Sequence, residues 1–183
     1  WNWSKLHSDA LSRLELAGDY EIRIKYLNIV LQSQDLKLEA DMFATKYNKK
    51  CPIYYAPTSD EEAAGVGGLQ ADWNNKTILI NPPLTLMGKI VCKLLTVKNC
   101  IAIVIAMDWI NQWWSNQLKD LATQTVILGN SERVLKEGRS MKKRRMKLPP
   151  GKVLEHVIRI GEVTLSSKSQ LQQSTQLLEN SSN

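Results

Sequence analysis

The sequence predicts an α/β fold of three layers, with helices on both faces of a mainly parallel sheet. Apolar runs without polar alternation, at residues 77–80 and 100–107, suit strands that are buried on both faces. Helical patterns separate such runs, as parallel strands require. The first run ends abruptly at Asn81-Pro82-Pro83, where two prolines prevent the sheet from continuing. A stiff loop is therefore predicted at the carboxyl end of a strand, where open α/β folds bind ligands.

The first half of the chain carries the weaker patterns. Residues 22–31 have apolar side chains at helical spacing and predict a helix, whereas residues 38–44 alternate around Asp41 and predict a strand. Residues 48–73 predict a long loop, because they hold two prolines and the glycine-rich run 65–68. A loop of this length is usually either functional or poorly ordered.

The second half alternates regularly between the two kinds of element. The predicted order is a strand at 77–80, a helix at 86–95, a strand at 100–107, a helix at 109–121 and a strand at 124–128. The connections between parallel strands should be right-handed. In the last helix, Trp109 and Trp113 share one face and are expected to pack on the sheet, whereas the place of Trp114 is left open. Residues 161–183 are rich in Ser and Gln and predict a disordered tail.

The positive charge is concentrated in one segment. The whole chain has a net charge of +6, and residues 131–160 contain ten Lys or Arg against three Asp or Glu. The segment is therefore predicted to be a basic extension. Its basic run, residues 141–147, supplies five candidate nucleic-acid contacts: Lys142, Lys143, Arg144, Arg145 and Lys147. Such a run can neutralise phosphates, act as a nuclear-import signal, or be a solvated linker.

The composition also excludes several classes of protein. No apolar run is long enough to span a membrane. The cysteines Cys51, Cys92 and Cys100 show no paired spacing, which argues against a disulfide scaffold or a zinc site and for a reducing compartment. His7 and His156 have no ligand or catalytic constellation nearby and are expected at the surface. These features predict an intracellular protein, cytoplasmic or nuclear, without a metal site.

The loop at residues 81–84 suits the transfer of a group to an exocyclic amine. The side-chain carbonyl of Asn81 and the backbone carbonyl of Pro82 can accept the hydrogens of the amine and aim its lone pair at an electrophilic methyl group. The residue at position 84 would then cover a base rotated out of its duplex. Leu84 can cover a base but offers no π face for stacking. The alternative is a plain strand-ending turn, since Asn-Pro is a common turn former.

Four short segments occur in a fixed order around this loop. They are Asp41-Met42-Phe43-Ala44, Cys51-Pro52 followed by Tyr54, Asp72-Trp73, and Asn81-Pro82-Pro83. This order resembles the phage-type Dam-like adenine N6-methyltransferases, which carry an Asp-x-x-Ala strand end, a Cys-Pro-aromatic loop, an Asp-Trp and an Asn-Pro-Pro-Tyr loop. It resembles more closely the Dam-like segment that follows reverse transcriptase and RNase H in DIRS-like and Ngaro-like retroelement polyproteins.

Two flanking segments favour the retroelement version of this resemblance. Asp9-Ala10-Leu11-Ser12-Arg13 resembles the end of retroelement RNase H domains, and the basic run with its Leu-Pro-Pro-Gly continuation resembles their usual basic sequence. The chain, which begins at Trp1, is then expected to be a fragment of a polyprotein. The resemblance implies an RNase H remnant at 1–19, a Dam-like domain at 20–130, the basic extension at 131–160 and the tail at 161–183.

For the Dam-like domain, the resemblance implies a trimmed Rossmann-like methyltransferase fold. Asp41 and Ala44 would lie near S-adenosylmethionine, and the site that receives the target amine would consist of Asn81, Pro82, Pro83 and Leu84. Three departures argue against activity: no Phe-x-Gly-x-Gly loop precedes the site, Leu84 replaces an aromatic residue, and only about five strands are predicted. One Asp of an RNase H site cannot hold two metal ions, so neither RNase H nor polymerase activity is expected.

We therefore expect a catalytically degenerate Dam-like domain that contacts DNA or RNA beside the upstream reverse transcriptase and RNase H domains. One alternative is an active DNA adenine N6-methyltransferase that uses S-adenosylmethionine. The other is a non-enzymatic nucleic-acid-binding module that relies on the basic run alone.

Overall fold

A computed structural model describes residues 20–161. The strands are β1 (Tyr20–Ile22), β2 (Ala40–Asp41), β3 (Ile53–Ala56), β4 (Gly65–Val66), β5 (Lys76–Ile80), β6 (Cys100–Met107), β7 (Gln124–Asn130), β8 (Leu135–Glu137) and β9 (Lys152–Ile160). The α-helices are α1 (Ile24–Ser33), α2 (Met87–Leu94), α3 (Trp113–Leu121), α4 (Ser131–Val134) and α5 (Arg139–Lys143), and a 3-10 helix spans Leu84–Leu86. The predicted RNase H remnant, including Asp9, and positions 162–183 of the predicted tail lie outside the described residues.

Seven of the strands form one mixed sheet in the order β4-β3-β2-β5-β6-β9-β7. The five strands from β4 to β6 are parallel, and β9 runs antiparallel to both β6 and β7. The predicted α/β class and the mainly parallel sheet are confirmed. The expected count of about five strands is too low, because residues 20–161 contain nine strands, and β3 and β4 lie within the predicted loop 48–73. The chain builds outward from β2 to β3 and β4, then returns to place β5 on the other side of β2. This reversal makes a topological switch point between β2 and β5.

The core is densest around β5, β6 and β9. The side chains of Ile78, Ile103 and Val157 are completely buried. Helix α2 covers this region with Met87, Ile90, Val91 and Leu94, which recur at helical spacing and are all buried. Burying each such side chain contributes about 1.5–3 kcal/mol, so apolar burial dominates the stability of this half of the sheet.

The other half of the sheet carries fewer helices. Within residues 20–161, the connections at 42–52, 57–64 and 67–75 contain no helix, so loops alone join β2 to β3, β3 to β4, and β4 to β5. Helix α1 precedes β2 and buries Leu27 and Val30. Among the helices of residues 20–161, none has the length and apolar character needed to cross a membrane.

Strand β9 belongs to residues 131–160, the segment predicted as a basic extension. Strand β9 lies between β6 and β7, so the segment predicted as a basic extension supplies an internal strand. The expectation that His156 lies at the surface is wrong, because its side chain is fully buried in β9. The adjacent Glu155 is fully buried as well. These two polar residues interrupt the apolar run and hide the strand in the sequence.

The tryptophan-rich helix also differs from its prediction. It begins at Trp113 rather than at Trp109. Trp114 is buried, whereas Trp113 is 56% exposed, so the expected core position of Trp113 is wrong. Trp113 lies across α2 instead, where a Cβ atom on Gly88 would come within 2.9 Å of its ring. The missing side chain of Gly88 therefore lets α2 and α3 approach each other.

Candidate functional site

The predicted site residues meet at the switch point between β2 and β5. Asp41 ends β2 and pairs with Leu79 of β5, and Asn81 follows β5 directly. The N–H of Met42 donates to the carbonyl of Leu79 at 2.9 Å, so the two strands stay together up to their carboxyl ends. The structure thus brings Asp41 and the Asn-Pro-Pro loop (residues 81–83) to the same edge of the sheet.

The carboxylate of Asp41 is already bonded within the chain. One oxygen accepts the N–H of Phe43 at 3.3 Å, and the other accepts the N–H of Lys50 at 3.1 Å. The residue is 3% exposed, and burial raises its pKa to about 6 in spite of these bonds. Asp41 therefore fixes the loop after β2, and a ribose could reach its oxygens only if that loop moved.

Ala44, the second residue predicted near the cofactor, has a packing role. Its side chain is buried in a small cluster with Tyr54 and Ala56 of β3. Its N–H donates to the carbonyl of Tyr55 at 3.1 Å. Ala44 thereby ties the loop after β2 to the neighbouring strand.

The side chain of Asn81 keeps one acceptor unused. Asn81 is 8% exposed, and its buried Oδ1 atom has no hydrogen-bond donor among residues 20–161. A buried acceptor left without a donor costs about 1–3 kcal/mol, so such an atom is a candidate for contact with a ligand. Of the acceptors predicted to hold the target amine, this one is still available.

The second predicted acceptor, the carbonyl of Pro82, is occupied. The buried hydroxyl of Tyr20 donates to it at 3.1 Å. Burial raises the pKa of Tyr20, so the hydroxyl keeps its proton and remains a donor. The O–H of Tyr20 thus competes with an amine hydrogen for this buried carbonyl, which can accept two hydrogen bonds at most.

Pro83 and Leu84 lead from this loop into the helix that follows. Pro83 is half-buried and precedes the first turn of the 3-10 helix. Leu84 is 4% exposed and packs within the main core. Leu84 therefore presents no exposed surface that could cover a base.

A two-stranded antiparallel ribbon of β1 and β8 brings Tyr20 to this position. Tyr20 pairs with Glu137 across the ribbon, and Ile22 pairs with Leu135. Glu21, between them, bonds to Lys50 at 2.6 Å and to Lys136 at 3.1 Å. Burial acts to raise the pKa of Glu21, but its bonds and ion pairs with the two lysines outweigh burial and lower it. The ribbon is thus tied to the same loop that Asp41 fixes.

A second loop approaches the carboxyl end of β2 from the side of β4. A Cβ atom on Gly68 would lie 1.8 Å from the carbonyl oxygen of Met42, so only glycine permits this approach. The indole N–H of the buried Trp73 donates to the carbonyl of Gly68 at 2.8 Å. Lys93 lies 4.6 Å from the centre of the Trp73 ring and donates to the carbonyls of Leu69 and Ala71. In the Asp72-Trp73 pair, Trp73 therefore supports this loop.

The basic run lies on and after α5 and is anchored by one apolar residue. Met141 is completely buried, whereas the five cations predicted as nucleic-acid contacts are exposed: Lys142, Lys143, Arg144, Arg145 and Lys147. At the start of α5, the guanidinium of Arg139 stacks on Tyr47 with 3.8 Å to the ring centre. Tyr47 belongs to the loop after β2, so α5 lies beside the same edge of the sheet as Asp41.

Sequence patterns gave no sign of the ribbon residues Tyr20 and Glu21, or of Lys50, which pairs with Glu21. A strand of three residues is too short for a periodic signal, and its partner lies more than a hundred residues further along the chain.

Among residues 20–161, no group of three or more His, Cys, Asp or Glu is arranged to hold a metal ion. A scan against models of protein families finds no match to this chain, and a search of curated proteins finds no match either.

Proposed function

We propose that this chain is a Dam-like domain of a retroelement polyprotein that no longer transfers methyl groups and that contacts nucleic acid through its basic run. The hydrogen bond from Tyr20 to the carbonyl of Pro82 carries the proposal. This bond uses one of the two lone pairs of a buried carbonyl that an incoming amine would need as an acceptor. The role implies an intracellular protein, in the cytoplasm or the nucleus, that acts beside reverse transcriptase and RNase H.

The strand order supports a methyltransferase origin. If the strands of the seven-stranded sheet are renumbered along the chain, β2 becomes strand 1 and β9 becomes strand 7. The sheet then has the order 3-2-1-4-5-7-6, and strand 7 is antiparallel to its neighbours. The first five positions follow the doubly wound order. A resemblance to Rossmann-like methyltransferases also implies an antiparallel strand beside the fifth strand, and β9 has that position. The resemblance rests on this order together with the Asn-Pro-Pro loop at the end of the fourth strand.

The chemistry of methyl transfer explains why the occupied acceptor matters. The amine nitrogen attacks the methyl carbon of a sulfonium, the carbon–sulfur bond breaks, and the nitrogen loses a proton. Two acceptors must hold the amine with its lone pair on the line of attack, since misplacement by about 1 Å costs about a hundredfold in rate. Of these two acceptors, the Oδ1 atom of Asn81 has no donor among residues 20–161, whereas the carbonyl of Pro82 already accepts the O–H of Tyr20. The carboxylate of Asp41, which would bind the cofactor, is also bonded within the chain.

One observation favours the alternative of an active adenine methyltransferase. The buried Oδ1 atom of Asn81 has no donor in the described part of the chain, which is the state expected of an acceptor that awaits an amine. In that case the β1–β8 ribbon would have to withdraw before a base could enter.

Calorimetry with S-adenosylmethionine separates the degenerate domain from the enzyme. We expect no heat of binding at millimolar cofactor for the full chain, because the oxygens of Asp41 are bonded to backbone N–H groups. Micromolar binding that Asp41→Ala abolishes and Asp72→Ala preserves would overturn the degenerate site. Asp72 is the matched control, since it is exposed and bonds to Asn74.

Fluorescence anisotropy with labelled oligonucleotides tests the nucleic-acid part of the proposal. If all five cations of the basic run contact phosphates, the slope of log affinity against log salt should lie between about −3.5 for a single strand and −4.5 for a duplex. A chain that binds neither kind of oligonucleotide at low salt would refute this part. Substitutions are preferable to deletion of the run, because deletion would also remove the buried Met141.

A further inference from the structure

A groove runs beside the basic run and joins segments that are far apart in the sequence. It has a volume of about 890 Å³, and ligand pockets usually measure about 300–1,000 Å³. Its basic lining residues are Arg23, Lys136, Lys142 and Lys147, its acidic ones are Glu132 and Glu137, and Leu135, Leu148 and Pro150 add apolar surface. We call it the basic groove. Its size suits part of a polymer better than a single ion.

The four cations of the groove differ in how far they are engaged. Arg23 donates to the carbonyl of Leu135 at 3.1 Å, and Lys136 pairs with Glu21. Within residues 20–161, the ammonium groups of Lys142 and Lys147 have no hydrogen bond or ion pair. These two lysines are therefore the cations that can take phosphates without breaking an existing contact.

An aromatic stack lies one helical turn from Lys142. Arg139 and Lys142 are three residues apart on α5 and so lie on one side of the helix. Arg139 stacks on Tyr47, whose side chain remains 63% exposed. Unpaired bases stack on exposed aromatic rings and guanidinium planes. An acidic peptide would use the lysines but would gain nothing from this stack.

From these contacts we infer that the basic groove binds single-stranded nucleic acid, with phosphates on Lys142 and Lys147 and a base on the Tyr47–Arg139 stack. This inference rests on the proposed nucleic-acid function and specifies its substrate. The bases of a duplex are paired and stacked on one another, so they cannot use the stack without being unpaired. A single strand can present phosphates and a free base together.

The first experiment compares two double variants by anisotropy with labelled oligo(dT), oligo(U) and a hairpin duplex. Lys142→Ala with Lys147→Ala should lower the salt slope for single strands by about 1.4. Lys89→Ala with Lys98→Ala removes the same charge from exposed positions outside the groove and should leave the slope unchanged. Equal effects of the two double variants would overturn the basic groove as the binding site. Thermal unfolding of both variants confirms that they fold.

The second experiment tests the stack. Tyr47→Ala should weaken binding of oligo(dT) by about fivefold or more, Tyr47→Phe should restore it, and the duplex should be little affected. Tighter binding of the duplex, with no effect of Tyr47→Ala, would overturn the single-strand inference and leave the proposed function intact. Competition by poly-glutamate as strong as that by oligo(dT) would overturn nucleic acid as the ligand of the groove. Failure of the wild-type chain to bind any oligonucleotide would instead refute the proposed function itself.

Discussion

The two halves of the sheet are held together by different forces. Around β5, β6 and β9, strands of five to nine residues carry apolar side chains that are buried under α2 and α3. Around β2, β3 and β4, strands of two to four residues depend on loops that polar side chains fix to the backbone. The candidate site lies on the border between the halves. The candidate site therefore depends on apolar packing on one side and on loop contacts on the other.

The largest expected effect comes from the apolar half. Ile103→Ala removes a fully buried side chain from β6 and should lower the free energy of unfolding by about 2–5 kcal/mol. Urea denaturation measures this loss. A loss below about 1 kcal/mol would show that apolar burial does not dominate this half.

The next effect concerns Glu155, a buried carboxyl group in the apolar half. Burial raises the pKa of Glu155 to about 8, and neither carboxylate oxygen has a hydrogen-bond partner among the described residues. Between the ordinary pKa of a glutamate and about pH 8, Glu155 therefore carries a proton in the folded state but has lost it in the unfolded state. The Glu155 contribution to stability should fall by about 2–4 kcal/mol between about pH 5 and pH 8. The lowered pKa of the neighbouring His156 acts in the opposite direction below about pH 6.5. Urea denaturation repeated across that pH range should show that Glu155→Gln loses less stability than the wild type as the pH rises; the same pH dependence in both chains would exclude a contribution of Glu155.

A smaller effect is expected in the half that depends on loops. Trp73→Phe keeps an aromatic ring but removes the N–H that donates to Gly68. The change should cost about 1–3 kcal/mol, since it leaves a buried carbonyl without its donor. Hydrogen exchange should accelerate first in residues 67–73 and only later in β6. Uniform acceleration across the whole sheet would contradict the division into halves.

The smallest effect lies at the border. Tyr20→Phe removes the hydroxyl that donates to Pro82 and should lower the free energy of unfolding by about 0.5–1.5 kcal/mol. Thermal unfolding of the variant beside Tyr26→Phe, a tyrosine of α1, measures it. Equal stability of both variants would mean that the bond to Pro82 contributes nothing to the fold.

The sequence predicted the apolar half better than the other, for physical reasons. Helix α2 and strand β6 carry long apolar patterns, and their bounds match the predicted ones within about one residue. Strand β9 escaped prediction because Glu155 and His156 look like surface residues when their burial is unknown. The helix was predicted to start at Trp109 but starts at Trp113. Because Trp113 and Trp114 are adjacent and point to different faces of the helix, this error assigned the buried position to Trp113 instead of Trp114.

The site was predictable in its place but not in its contacts. The rule that ligands bind at the carboxyl ends of strands pointed to Asn81, and the resemblance added Asp41. The parallel pairing of β2 with β5 brings the two residues to one edge. The bond of Tyr20 to Pro82 depends on long-range pairing between β1 and β8, which no local pattern encodes. The groups that occupy the site were therefore visible only in three dimensions.

The position of β9 has a consequence for synthesis of the chain on the ribosome. This strand is the last of the described strands to be made, yet it lies between β6 and β7 and joins them. Until residue 160 has left the exit tunnel, β6 has an open edge and β7 has no strand to pair with. A nascent chain must therefore protect two unpaired apolar edges from wrong partners before one late strand completes the sheet.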